Sequence, residues 1–216
     1  MITISAFKSA PAIVHGLVRD LRLRWALEEA GLPYRTMLLE LGEHKQPPYR
    51  ALQPFGQVPI FEEDGLELFE SGAIVLHIAE RSEVLLPKDA AGRARATTWL
   101  LAALNTMEWP IWDYVRAKVF NADQEWAKLR LPESETFVMT RLSELADVLA
   151  DRDYLEDRFT CGDLMMTAVL RILRGTDILD KYPTLKAYRE RCEARSAFQR
   201  ALAAHLADFE ANKPAA

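Results

Sequence analysis

Gln57-Val58-Pro59-Ile60-Phe61-Glu62-Glu63-Asp64-Gly65-Leu66-Glu67-Leu68-Phe69-Glu70-Ser71-Gly72 is the stretch on which the fold turns. Val58 to Phe61 and Leu66 to Phe69 are short apolar runs on either side of Glu62-Glu63-Asp64-Gly65. Asp-Gly accepts the positive φ of a tight turn, so the two runs read as a β-hairpin. Pro59 has no N–H to give to a ladder, which predicts either a sheet edge or a cis peptide at Val58-Pro59. Glu70-Ser71-Gly72 then opens a helix expected to reach about Arg81, with the serine hydroxyl at its first turn.

Upstream, Ile2 to Phe7 alternates like a short strand, and Val14 to Glu29 has the spacing of an amphipathic helix, which Gly31-Leu32-Pro33 ends. Tyr34 to Leu39 reads as a second strand, followed by an irregular, proline-bearing segment from Gly42 to Pro54. Strand, helix, strand implies a parallel crossover. The order βαβ, loop, ββα therefore predicts an α/β domain over residues 1–82 with a four-stranded mixed sheet. Almost everything after Lys88 has helical periodicity. Helices are expected at Ala90–Phe120, kinked or divided by Pro110, and at Glu133–Ala150, Cys161–Leu173, Leu185–Cys192 and Ala197–Ala211. Residues 90–212 form the expected all-helical second domain, and Asn212–Ala216 reads as a frayed tail.

The 216 residues are 50% hydrophobic and 27% charged, a globular balance that excludes a disordered chain or a disulfide scaffold. The formal net charge of −5 gives no long-range attraction for nucleic acid or anionic lipid, so neither is expected as a partner. The N-terminus carries no basic region followed by an apolar run, and no span of about 18 apolar residues occurs, so a cytoplasmic location is expected. Cys161 and Cys192 have no CxxC or Cys/His neighbours and read as reduced thiols rather than as a disulfide or metal site.

Four pieces in register carry a family resemblance: Arg24 to Tyr34, Pro54 to Ile60, Leu68 to Ile74, and Phe159-Thr160-Cys161-Gly162-Asp163. Together they resemble the cytosolic glutathione S-transferases over nearly the whole chain. The resemblance implies a thioredoxin-like domain, mixed four-stranded, fused to a helical bundle. It also implies glutathione as co-substrate with no metal, a small apolar electrophile as second substrate, and a homodimer.

The residue chemistry fits that ligand. Val58 can pair its main-chain N–H and C=O with the cysteinyl amide of glutathione in a strand-like contact. Ser71 and the free N–H groups of the following first turn suit the γ-glutamyl carboxylate, and Glu70 suits the adjacent ammonium. Lys45 and Gln57 can take the glycyl carboxylate. Thr160 and Asp163 form a capping pair before the apolar run Leu164–Val169.

Thiol transfer also needs a group that lowers the pKa of the glutathione sulfur. Where this family commonly has Ser, Cys or Tyr, the alignment falls on Val18, Arg19 and Asp20. Moreover, the connection from Lys8 to Gly16 is longer than usual by about five residues. Ser9 can donate a hydroxyl, Arg19 can stabilise the thiolate by charge, and His15 can polarise the sulfur or a substrate. Trp109, Trp112 and Arg116 fit a substrate pocket, although core packing and an ion pair explain them equally well. Two alternatives to conjugation stay open: glutathione-dependent isomerisation or peroxide reduction, and a non-catalytic module that keeps the fold for protein interaction.

Overall fold

A computed structural model of the chain describes residues 1–213; the last three residues of the expected frayed tail lie outside the described residues. The chain folds into two units, one made of Met1–Leu85 together with the segment from Arg195 onward, the other of Leu86–Ala194.

The first unit is the thioredoxin-like α/β domain. Strand β1 (Ile2–Phe7) pairs in parallel with β2 (Tyr34–Leu39) through the helix α1 (Asp20–Ala30). A short helix, α2 (Pro47–Leu52), precedes the hairpin of β3 (Phe61–Glu63) and β4 (Leu66–Leu68), and α3 (Ser71–Ala79) follows. The sheet order is β2-β1-β3-β4, with β3 antiparallel to both of its neighbours. β1 is central and therefore buried on both faces, so that Thr3 and Ser5 are covered along with Ile2, Ile4 and Ala6.

Three details of this unit differ from the sequence reading. The segment from Gly42 to Pro54, expected to be irregular, carries a 3-10 turn at Glu43–Lys45 and the helix α2, whose prolines lie in the first turn where no N–H is needed. The expected helix Val14–Glu29 begins only at Asp20, preceded by a single 3-10 turn at Ala12–Val14. Gly16, at φ 74°, takes a left-handed conformation that no helix interior accepts, and it separates the two. The hairpin is also displaced: Asp64 and Gly65, both at positive φ, form the turn by themselves, so Glu62 and Glu63 belong to β3 instead of the turn, and Val58-Pro59-Ile60, with its cis peptide, lies before the strand.

The second unit is all-helical: α4 (Ala90–Ala102), α5 (Glu108–Val115), α6 (Glu125–Leu149), α7 (Cys161–Leu170) and α8 (Pro183–Glu193). The stretch expected to be kinked by Pro110 is interrupted by two π-helical segments, Ala103–Met107 and Arg116–Phe120. A proline without an N–H frees the carbonyl four residues back, and a wider turn there accommodates it. The helix expected from Glu133 begins instead at Glu125, with Pro132 inside α6. α7 is buried along most of its length and is capped as the sequence indicates. Thr160 Oγ1 accepts the Gly162 N–H, while Asp163 accepts the Thr160 and Leu155 N–H groups and the Tyr188 hydroxyl.

The last helix, α9 (Ser196–Ala211), belongs to the first unit and not to the helical domain into which residues 90–212 group it. Its apolar stripe packs on α1, with Trp25 edge-on to Phe198 at 4.8 Å between ring centroids. Arg195 clasps Glu29 through two bonds of 2.6 and 2.8 Å, and Arg200 pairs with Glu28 at 2.7 Å. Periodicity marks an amphipathic helix but does not say which surface its stripe will find.

Candidate functional site

The cleft of interest lies in the first unit, where the segment before β3 meets the starts of α1 and α3. Leu39, Tyr49, Val58 and Ile60 form a buried cluster with Phe7, Met37 and Leu52 packed against it, which seats α2 under the Val58 turn. The Val58-Pro59 peptide is cis. The side chain of Val58 is buried, while among the described residues its main-chain N–H and C=O have no hydrogen-bond partner. Both are available to a ligand that runs alongside as a strand would.

The residues on either side of that dipeptide are held by a buried chain of hydroxyls. Ile60 N–H donates to Ser5 Oγ at 2.8 Å, and Ser5 Oγ is 2.8 Å from Tyr49 Oη, which donates to the Gln57 carbonyl at 2.8 Å. Each hydroxyl has one proton, so the chain runs in a single direction from Ile60 through Ser5 and Tyr49 to Gln57. Burial pushes the Tyr49 hydroxyl up to about 12, which keeps it a donor across the neutral range.

On the other wall, Glu70 stands at φ 70° and ψ 112°, a left-handed-side conformation unusual for a residue with a side chain, immediately before α3. Ser71 begins the helix with the unpaired N–H groups of its first turn. Arg22 of α1, 4% exposed, donates from Nη1 to Ser71 Oγ at 3.2 Å. A hydroxyl, helical N–H groups and a buried guanidinium thus converge beside the Glu70 carboxylate, an arrangement that takes an anion and a cation held on one carbon.

Arg19, directly before α1, lines the cleft with Gln53, Gln57, Val58, Pro59, Glu70 and Ser71, and its Nη1 donates to Gln57 Oε1 at 3.4 Å. Lys45 Nζ donates to the Gly56 carbonyl at 2.7 Å. Gly56 holds φ 57°, and a Cβ there would come within 2.7 Å of the His44 carbonyl, so glycine is required for the turn.

The structure brings Arg19, Gln57, Val58, Glu70 and Ser71 together, with Lys45 on the adjoining turn. Ser9 does not line this cleft. His15 is committed elsewhere, its Nε2 2.8 Å from the Ala10 carbonyl and its ring stacked on Phe209 at 4.3 Å. In the second unit, Trp109 is 57% exposed and so is not a core residue. Trp112 packs edge-on against Phe120, and Arg116 lies over the Trp126 ring at 5.8 Å, with no ion pair among the described residues. Cys161 is buried with its thiol pushed up to about 12 by burial, which suits packing and not nucleophilic chemistry.

Sequence reasoning missed Arg22, Gln53, Ser5 and Tyr49. Arg22 had a signal, since it lies one helical turn from Arg19 on the same face. The hydroxyl pair had none, because residues 44 positions apart meet only in the folded chain.

Residues 10–80 match the glutathione S-transferase N-terminal domain family, and residues 109–196 match the C-terminal domain family. Glutathione S-transferase F9 of Arabidopsis thaliana is 31% identical over 170 residues, covering 75% of this chain and 76% of that protein. The crystal structure of glutathione transferase F7 from Populus trichocarpa superposes with a TM-score of 0.81 at 24% identity, over 95% of this chain and 99% of that one. Ure2p in complex with glutathione gives 0.79 at 22% identity, over 94% and 92%. With both domain families matched in order and a relative this similar over three quarters of its length, the chain belongs to the glutathione S-transferase family and is a glutathione transferase.

Proposed function

We propose that the cleft of the first unit binds glutathione, holds its sulfur as thiolate beside Arg19, and transfers it to a small apolar electrophile. The observation that carries this reading is the layout of the cleft: the unpaired main chain of Val58 lies between a carboxylate site at Ser71 and Arg22 and a cationic side at Arg19 and Lys45. Glutathione offers the complementary order of groups. Its γ-glutamyl carboxylate goes to Ser71 and Arg22, its ammonium to Glu70, its cysteinyl amide to Val58, and its glycyl carboxylate toward Lys45 and Gln57. A structural neighbour, Ure2p, is described in complex with glutathione, which supports the same ligand here.

The thiol then loses its proton to solvent, and the Arg19 guanidinium favours the resulting anion. A sulfur lone pair attacks the electrophilic carbon, and a leaving group departs with its bond electrons or the adduct takes a proton from water. Trp109 and Trp112 are assigned to the electrophile, as exposed aromatic surface in the second unit. A cytoplasmic homodimer completes the proposal, and sedimentation velocity tests its oligomeric part.

Calorimetric titration with glutathione tests the binding. Wild-type protein is expected to bind at or below millimolar concentration, and Ser71→Ala to weaken binding by about 10-fold. No heat at millimolar glutathione would overturn the reading in favour of an interaction module.

A further inference from the structure

The connection from Lys8 to Arg19 leads from β1 into the cleft and contains one 3-10 turn as its regular structure. Its anchor is α9, at the far end of the chain. His205, 1% exposed, accepts the Gly16 N–H at Nε2 over 3.1 Å. That nitrogen must therefore be bare, the ring proton is on Nδ1, and Nδ1 donates to Asp20 Oδ2 at 2.9 Å. Asp20, also 1% exposed, is the first residue of α1 and the immediate neighbour of Arg19. The same Oδ2 accepts Arg24 Nε at 2.8 Å, and Arg24 reaches back to Asp208 of α9 at 2.5 Å. One turn further along α9, Phe209 stacks on His15, which holds the Ala10 carbonyl. Positions 10, 15, 16 and 20 are thus fixed, directly or through one neighbour, by a single helix.

A buried His-Asp-Arg constellation costs desolvation that an apolar cluster would avoid, so stability alone does not account for it. What it adds is direction: each bond has one donor and one acceptor, and together they hold the Gly16 amide three residues before Arg19 and the Asp20 side chain directly after it.

We propose that α9 is the positioning element of the thiol site, acting chiefly through His205, which holds Gly16 and Asp20 and thereby places Arg19. This rests on the thiolate role given to Arg19 above. The test compares wild type with His205→Leu, which removes both ring bonds, and His205→Gln, whose amide can accept from Gly16 while donating to Asp20. Phe209→Leu serves as a second route that leaves the bonds intact and loosens only His15. Three readouts are taken: amide exchange over residues 14–22, the thiolate absorbance titration of bound glutathione, and kcat apart from KM.

His205→Leu is expected to raise exchange in that segment at least about 10-fold. It should also raise the bound-thiol pKa by about one unit and lower kcat by about 10-fold, with the glutathione KM changed less than about 2-fold. His205→Gln is expected to recover most of each effect, and Phe209→Leu to shift them in the same direction by less. A His205→Leu protein with wild-type exchange, thiol pKa and kcat overturns the proposal, whatever its melting temperature. If wild-type protein leaves the bound thiol at its ordinary pKa, the reading of Arg19 fails. The exchange arm then decides the anchor by itself, and unchanged exchange in His205→Leu refutes it.

Discussion

Tyr49 is almost fully buried, and its folded pKa lies near 12 against about 10 for a free tyrosine. The folded state therefore favours the neutral hydroxyl. That contribution is intact below pH 10 and is lost as pH rises from 10 to about 12, a range equivalent to about 3 kcal/mol. Urea unfolding of wild type is expected to weaken over this interval by about 2 kcal/mol more than that of Tyr49→Phe, which has no proton to lose. At pH 7 the same variant leaves the Gln57 carbonyl without its donor and should be the less stable of the two by about 1–2 kcal/mol. Arg19 is tested in the opposite sense. Arg19→Leu should leave folding within about 0.5 kcal/mol of wild type but raise the bound-thiol pKa, read from thiolate absorbance, and lower kcat near pH 6.5 by about 10-fold.

The polar residues of the cleft were legible where chemistry follows from local context. Ser71 opens a helix, Glu70 precedes it, and Val58 precedes a proline; each could be read within a few positions. Ser5 was not legible, because an alternating strand leaves open whether one face or both are covered, and β1 turned out to be central. Arg22 carried only the weak signal of its spacing from Arg19, and an arginine on a charged helix usually faces water; here it is buried and donates to Ser71.

At the level of elements, the turn Phe55–Gln57 and the cap of α7 are the most sensitive joints. Gly56→Ala would force a Cβ against the His44 carbonyl at a backbone conformation that disfavours side chains. The turn should shift, with a cost of about 1–3 kcal/mol in chemical denaturation and weaker glutathione binding by calorimetry. Asp163→Ala would strip acceptors from the Leu155 and Thr160 amides and the Tyr188 hydroxyl, all buried. At about 1–3 kcal/mol for each stranded donor, partly relieved by relaxation, a loss of about 4 kcal/mol in urea unfolding is expected. The helix boundaries that the sequence misplaced share one cause: Gly16, Pro110 and Pro132 act locally, but what the backbone does about them is settled by packing. Gly16 did break its helix, Pro110 sits within α5 just after a π-helical turn, and Pro132 was tolerated within α6.

For the whole molecule, the order of α/β and helical parts could be read from periodicity, but the return of the last helix to the first unit could not. The first unit is discontinuous in sequence, completed by a helix that Leu86–Ala194 separates from the rest. A chain ending at Ala194 should keep a protease-resistant second unit but lose native-like protection of α1, because Trp25 and the carboxylates of Glu28 and Glu29 lose their partners. Limited proteolysis with mass spectrometry distinguishes this from a chain that survives intact.

That discontinuity also sets a schedule for synthesis. At about 5–20 residues per second, the first unit waits several seconds between emergence of its sheet and arrival of its closing helix. During that interval α1 presents Trp25 to solvent without Phe198, and Asp20 has no histidine to face. The nascent chain is then a natural client for a holding chaperone. A frameshift between Ala194 and His205 should therefore leave the same surface of α1 uncovered in the finished chain.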